Sequence, residues 1–107
     1  MAHALFVVRA VVPDPADRAA FDTWYAHEHL PDALRAFQAR QGWRAWSRVD
    51  PSVHTAFYRF DSVAAAEAAT APPALQPLIA EFDRRWGARV TRARDILEVV
   101  DEQERRP

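Results

Sequence analysis

A chain of 107 residues, half of them hydrophobic and 11% aromatic, has enough apolar material for one core and little room for a second. A formal net charge of −1 supplies no basic field to hold nucleic acid. The absence of cysteine removes disulfides, zinc–thiolate sites, Fe–S clusters and thiol nucleophiles, and because all 14 basic residues are arginine, Schiff-base and pyridoxal phosphate chemistry are excluded as well.

Ala4 to Val12 reads as a strand, rich in β-branched residues, with Phe6, Val8 and Ala10 on one face and Leu5, Val7, Arg9 and Val11 on the other. Pro13 ends it. Asp14 is a suitable N-cap, Pro15 suits the first helical position and Asp17 the acid-favouring first turn, so a helix begins here. Ala20, Phe21, Trp24 and Glu28 follow helical spacing. Pro31 is expected to break or kink this helix near His29, and a second helical piece carries Leu30, Ala33, Leu34 and Phe37 on one face, with Gly42 as its left-handed cap.

Trp43 to Val49 reads as a strand, Asp50-Pro51-Ser52 as a turn and His54 to Phe60 as the returning strand of a hairpin. Asp61-Ser62 opens a helix through Val63 to Thr70, which Pro72-Pro73 interrupts. Leu75, Leu78, Ile79, Phe82 and Trp86 then repeat at helical spacing up to Gly87, and Val90 to Val100 is the last strand. The order strand, helix, strand, strand, helix, strand predicts an α+β, ferredoxin-like βαββαβ domain over residues 1–100, with a charged tail over 101–107. Its four-stranded antiparallel sheet carries both helices on one face. The other face, with Val7, Val11, Phe57 and one or more tryptophans, is too apolar to be left in water, which predicts a homodimer packed sheet on sheet. Leu5 to Val12 is too short and too interrupted by Arg9 to serve as a signal peptide. No apolar run nears the roughly 20 residues of a membrane span. A cytoplasmic protein with no membrane partner is therefore expected.

Chemistry concentrates between Trp24 and Asp32. His27 and His29 flank Glu28, Trp24 and Tyr25 lie one turn back, and Pro31 disturbs the backbone at this point. Histidine exchanges protons near neutrality, and Glu28 or Asp32 could fix its tautomer. His27 and His29 cannot share one metal ion while the helix continues, since residues two apart point about 200° apart. The zinc-protease spacing is also missing, so no metal site is expected. His3 and His54 read as bland, the first terminal and the second beside a turn. Arg9 and Arg59 sit on strand faces and, if those faces coincide, place two guanidiniums together, either for an anionic ligand oxygen or for salt bridges to Asp95 or Glu98. Trp43 and Trp46 could form an aromatic wall or the core of a dimer. With only two glycines, no phosphate-binding loop is present, and there is no Gly-x-Ser-x-Gly elbow.

The element order, together with the run Phe21-Asp22-Thr23-Trp24-Tyr25-Ala26-His27-Glu28-His29-Leu30-Pro31-Asp32, resembles the dimeric α+β-barrel superfamily, in particular its EthD-like and small bacterial members. The specific part is Trp24 followed by His29-Leu30-Pro31; Glu81 to Gly87 is also similar. The resemblance implies a small-molecule pocket between sheet and helices. It also implies cofactor-independent chemistry on aromatic or polyketide-like substrates: isomerisation, cyclisation or monooxygenation. His29, with His27 as its rival, maps onto the catalytic position. Trp24, Tyr25, Arg9, Arg59 and Asp32 are the expected substrate contacts, and no cofactor is expected. The alternative is a non-catalytic small-molecule-binding or stress-associated dimer.

Overall fold

The computed structural model describes residues 3–107. Strand β1 (His3–Val11) leads into helix α1 (Pro15–Trp24), where Asp14 Oδ1 accepts the Ala16 N–H at 2.9 Å and so satisfies one of the helix's free amides. After a segment at Tyr25–His29, described below, the chain continues as α2 (Leu30–Phe37). Strands β2 (Gln41–Trp46) and β3 (Val53–Phe60) form the hairpin. Helix α3 (Val63–Ala69) is capped by Ser62, whose Oγ accepts the Ala65 N–H at 3.0 Å. Helix α4 (Pro72–Trp86) and strand β4 (Thr91–Val99) complete the fold.

The sheet is antiparallel in the order β2-β3-β1-β4, so the first and third strands are central, as the ferredoxin-like pattern requires. Ala4, Phe6 and Ala10 of β1, with His54, Ala56, Tyr58 and Phe60 of β3, face the helices and are buried. At the centre of that layer lies Phe21, fully enclosed. Its ring meets those of Tyr25 at 5.4 Å, His54 at 5.2 Å and Trp86 at 5.2 Å in tilted or edge-on arrangements. No helix among the described residues is long and apolar enough to cross a membrane.

Several expectations give way to local physics. Pro31 does not break the helix. The backbone stays right-handed from Trp24 through Leu30, and the Leu30 N–H bonds to the Tyr25 carbonyl, five residues back. A π-helical turn over Tyr25–His29 thus accommodates the proline. The cap of α2 is Gln38, left-handed at φ 52°, and not Gly42. Gly42 lies in β2, where a Cβ would come within 2.9 Å of Leu34 Cδ2, so its role is to let α2 approach the sheet. The expected strand Trp43 to Val49 is earlier and shorter, because Ser47 Oγ accepts the Val49 and Asp50 amides and turns the chain. Pro72 and Pro73 start α4 instead of interrupting a helix, since first-turn positions need no N–H.

The packing around Phe21 sets the first test. Phe21→Ala removes a ring at the meeting point of helices and sheet and is expected to cost about 3–5 kcal/mol. In urea unfolding this appears as a lower midpoint with an unchanged slope.

Candidate functional site

Phe21, Tyr25, His29, Ala33 and Phe37, every fourth residue, are all buried. In an unbroken α-helix such residues drift by about 40° per step, which would have turned Glu28 inward after Phe21 and Trp24. The wider π-turn takes up that drift. It places His29 inside at 8% exposure and leaves His27 and Glu28 exposed.

His29 lies between aromatic rings. Trp24 stacks on it at 4.7 Å with 20° between planes, Tyr25 meets it edge-on at 4.8 Å and Phe82 at 5.6 Å. Its Nδ1 is buried and has no hydrogen-bond partner. Burial, reinforced by the positive charge of Arg92, lowers its pKa from 6.5 to about 4, so the ring is neutral at pH 7. Arg92, on β4, stands 3.8 Å above the Phe82 ring and pairs with Asp83 at 2.8 Å; burial lowers its own pKa.

These groups border a gap between the sheet and the helices. His29, Tyr58, Arg92 and Arg94 form its polar lining, with Phe6 and Leu78 among its apolar neighbours. Its volume is about 20 Å³, room for one water. Tyr58 is buried beside Tyr25. Burial raises both phenol pKa values, that of Tyr25 to about 12. Deeper on β3, His54 is fully enclosed. Its Nε2 lies 3.4 Å from Arg44 Nη1, and its Nδ1 has no partner. A guanidinium only donates, so Nε2 is the accepting nitrogen and Nδ1 carries the proton. Burial, followed by the Arg44 charge, lowers the pKa of His54 to about 4. Arg44 and the Trp46 indole both donate to Asp22 Oδ1, at 2.7 and 2.8 Å, and hold that carboxyl below its usual range.

The structure gathers only part of the expected set. His29, Trp24 and Tyr25 come together. Asp32 pairs with Arg35 on the outside of α2 and Glu28 is exposed, so neither carboxylate touches His29. Arg9 and Arg59 do share a face, but it is the face turned away from the helices, and the sheet separates them from His29. Arg9 there is exposed, and Arg59 pairs with Glu102 at 3.4 Å instead of with Asp95 or Glu98. Trp43 and Trp46 also divide, with Trp43 stacked on Phe57 on the open face and Trp46 on the helix side against Phe21. Sequence reasoning missed His54, Tyr58, Arg44 and Arg92. The alternation His54, Ala56, Tyr58, Phe60 carried a signal for the first two, because Phe57 and Arg59 had already been placed on the opposite face.

No family model matches the chain, and no curated protein matches it. Solved structures do. A variant of SnoaB, a cofactor-independent oxygenase from Streptomyces nogalater, is 17% identical with a TM-score of 0.68, covering 94% of this chain and 95% of its own. An ethyl tert-butyl ether degradation (EthD) family protein from Bacillus halodurans is 16% identical with a TM-score of 0.61, covering 85% and 96%. A NIPSNAP family protein from Agrobacterium tumefaciens is 12% identical with a TM-score of 0.67, covering 94% and 90%. The fold is the ferredoxin-like α+β fold of the dimeric α+β-barrel proteins, the EthD-like ones among them.

The two buried imidazoles make stability pH-dependent. Below pH 6.5 the unfolded chain takes up protons on both rings, whereas the folded chain refuses them until about pH 4. Stability is therefore complete above pH 6.5 and falls as the pH drops across that window, by at most about 3 kcal/mol for each ring. Denaturant midpoints measured from pH 7.5 to pH 4 should show this fall, and His29→Phe should make it shallower.

Proposed function

We propose that this protein binds a planar aromatic or polyketide-like molecule between sheet and helices and transfers a proton on it without a cofactor, His29 acting as acid–base. One observation carries this reading: His29 is neutral, buried and unpaired at Nδ1, and it lines the same gap as two guanidiniums, Arg92 and Arg94. A neutral imidazole can accept a proton from an acidic C–H or phenolic O–H. The imidazolium so formed is disfavoured by burial and by Arg92, so the proton is held briefly and passed on. The charge left on the substrate is the kind that Arg92 and Arg94 can offset. Return of the proton at another carbon gives isomerisation, ring closure gives cyclisation, and capture of dioxygen by the carbanion gives oxygenation. That SnoaB is a cofactor-independent oxygenase supports the last outcome. A gap of about 20 Å³ admits no such substrate, so binding requires α4, which presents Leu75, Leu78 and Ile79 and lacks one helical amide at Pro77, to move outward. A second reading, a non-catalytic binding protein using the same site, is favoured by the lack, among the described residues, of any carboxylate orienting His29.

The open sheet face supports a homodimer. Trp43 stacks on Phe57 at 5.5 Å between planes 14° apart, Leu97 is 42% exposed, and Leu5, Val7 and Val11 lie alongside. This is an apolar surface of the kind that a second sheet covers.

Two experiments follow. With a hydroxyanthrone as substrate in air-saturated buffer, His29→Ala should lower kcat/KM about 10²–10⁴-fold, and His27→Ala should change it less than about twofold. Unchanged turnover in His29→Ala removes the catalytic reading, and tight binding without any turnover favours the second. In sedimentation at micromolar concentration the chain should run at twice its mass and Phe57→Asp at one. A wild-type chain that runs only at one mass eliminates the dimer.

A further inference from the structure

A second concavity lies on the outer side of α1, where Arg18 and Ala19 face Trp46, Ser47, Arg48 and Pro51 at the end of the β2–β3 hairpin. It is an open groove of about 490 Å³, within the roughly 300–1,000 Å³ of small-molecule sites. Its parts are held in place from behind. Trp46 is fixed by its indole bond to Asp22 at 2.8 Å and by edge-on contacts with Phe21 at 5.9 Å and His54 at 5.0 Å, so its position does not depend on a ligand. Arg18 is pinned by bonds from Nε to the Val12 carbonyl and from Nη2 to the Pro13 carbonyl, both at 3.1 Å, which leaves its Nη1 hydrogens uncommitted. Ser47 Oγ accepts two backbone amides, so its own hydrogen remains to donate. Arg48 is exposed and has no acidic partner among the described residues. Asp50, at the same turn, is occupied at Oδ1 by the Ser52 amide and hydroxyl. Its charge offsets one of the two guanidiniums and leaves the other uncompensated.

From this arrangement we infer that the groove is a second binding site, separate from the His29 gap, for a small planar aromatic carboxylate. The ring lies against the Trp46 indole and the carboxylate is held by the guanidiniums of Arg18 and Arg48 with the Ser47 hydroxyl. An aromatic face beside two forked cations selects both properties together. A neutral ring lacks the charge-assisted bonds and a small aliphatic acid lacks the stacking area. Preorganisation counts here, because neither Trp46 nor Arg18 has to lose rotamer freedom on binding.

Titration of the ¹⁵N-labelled full chain with 2-naphthoate, followed by heteronuclear NMR, tests the site. Saturable shifts are expected at the Trp46 indole N–H and the Ser47 and Arg48 amides, with a Kd on the order of 1 mM. The neutral 2-naphthylmethanol should bind at least about tenfold more weakly, Arg48→Gln should weaken 2-naphthoate about three- to tenfold, and Arg94→Gln, at the inner gap, should leave it unchanged. Equal binding of the alcohol, an unaltered affinity in Arg48→Gln, or shifts confined to Leu75, Leu78 and Ile79 would overturn the assignment. None of these outcomes depends on turnover, so loss of the catalytic reading would leave this site standing.

Discussion

The arrangement of the interior depends on one backbone constraint, the absent N–H of Pro31. A proline in the middle of a helix removes one hydrogen bond and crowds the carbonyl four residues before it. The chain relieves the crowding by widening a single turn over Tyr25–His29, which adds a residue without ending the helix. That extra residue sets the register of everything after it. Phe21, Tyr25, His29, Ala33 and Phe37 fall on one line facing the sheet, and His29 takes the inward place that regular spacing would have given to Glu28. A carboxylate there would have had to be buried against Trp24 and Phe82. An imidazole can shed its charge and remain.

The same geometry explains why the fold was more legible than the site. Element order and sheet topology follow from signals a few residues long: the Asp14 and Ser62 caps, the Asp50-Pro51-Ser52 turn, the helical repeat from Leu75 to Trp86. The side chains around His29 come from several elements, α1, α4, β3 and β4 among them, and their meeting depends on register. Arg92 reaches Phe82 because β4 pairs with β1 as Ala10 to Arg92, a pairing that no local pattern announces. Pro31 reads as a break in the sequence because its local cost is certain, whereas the π-turn that absorbs it is stabilised by tertiary burial. Gly42 reads as a cap for a similar reason: the demand on it comes from Leu34 across the interface.

The sheet divides the polar residues into two populations. On its open face Arg9 and Arg59 are accessible and screened, with Glu102 from the tail beside Arg59. On the helix side, charge is rationed by burial. His29 and His54 are held neutral, Tyr25 and Tyr58 are held protonated, and Arg92 keeps its charge by pairing with Asp83 and resting on Phe82. A compartment of this kind resists carrying an extra proton, which suits transient proton transfer better than storage of charge.

Asp22 links this compartment to the outer groove. One of its oxygens receives both Arg44, which contacts His54, and the Trp46 indole, which walls the groove. Trp46 and His54 are also in edge contact and both touch Phe21. A ligand on the outer face of Trp46 meets an indole already held in place, so both donors stay on Asp22. Trp46, Asp22, Arg44 and His54 therefore hold one another in one arrangement from the groove to the interior. The buried histidine on β3 is thus best understood as the inner end of a polar contact that begins at the surface.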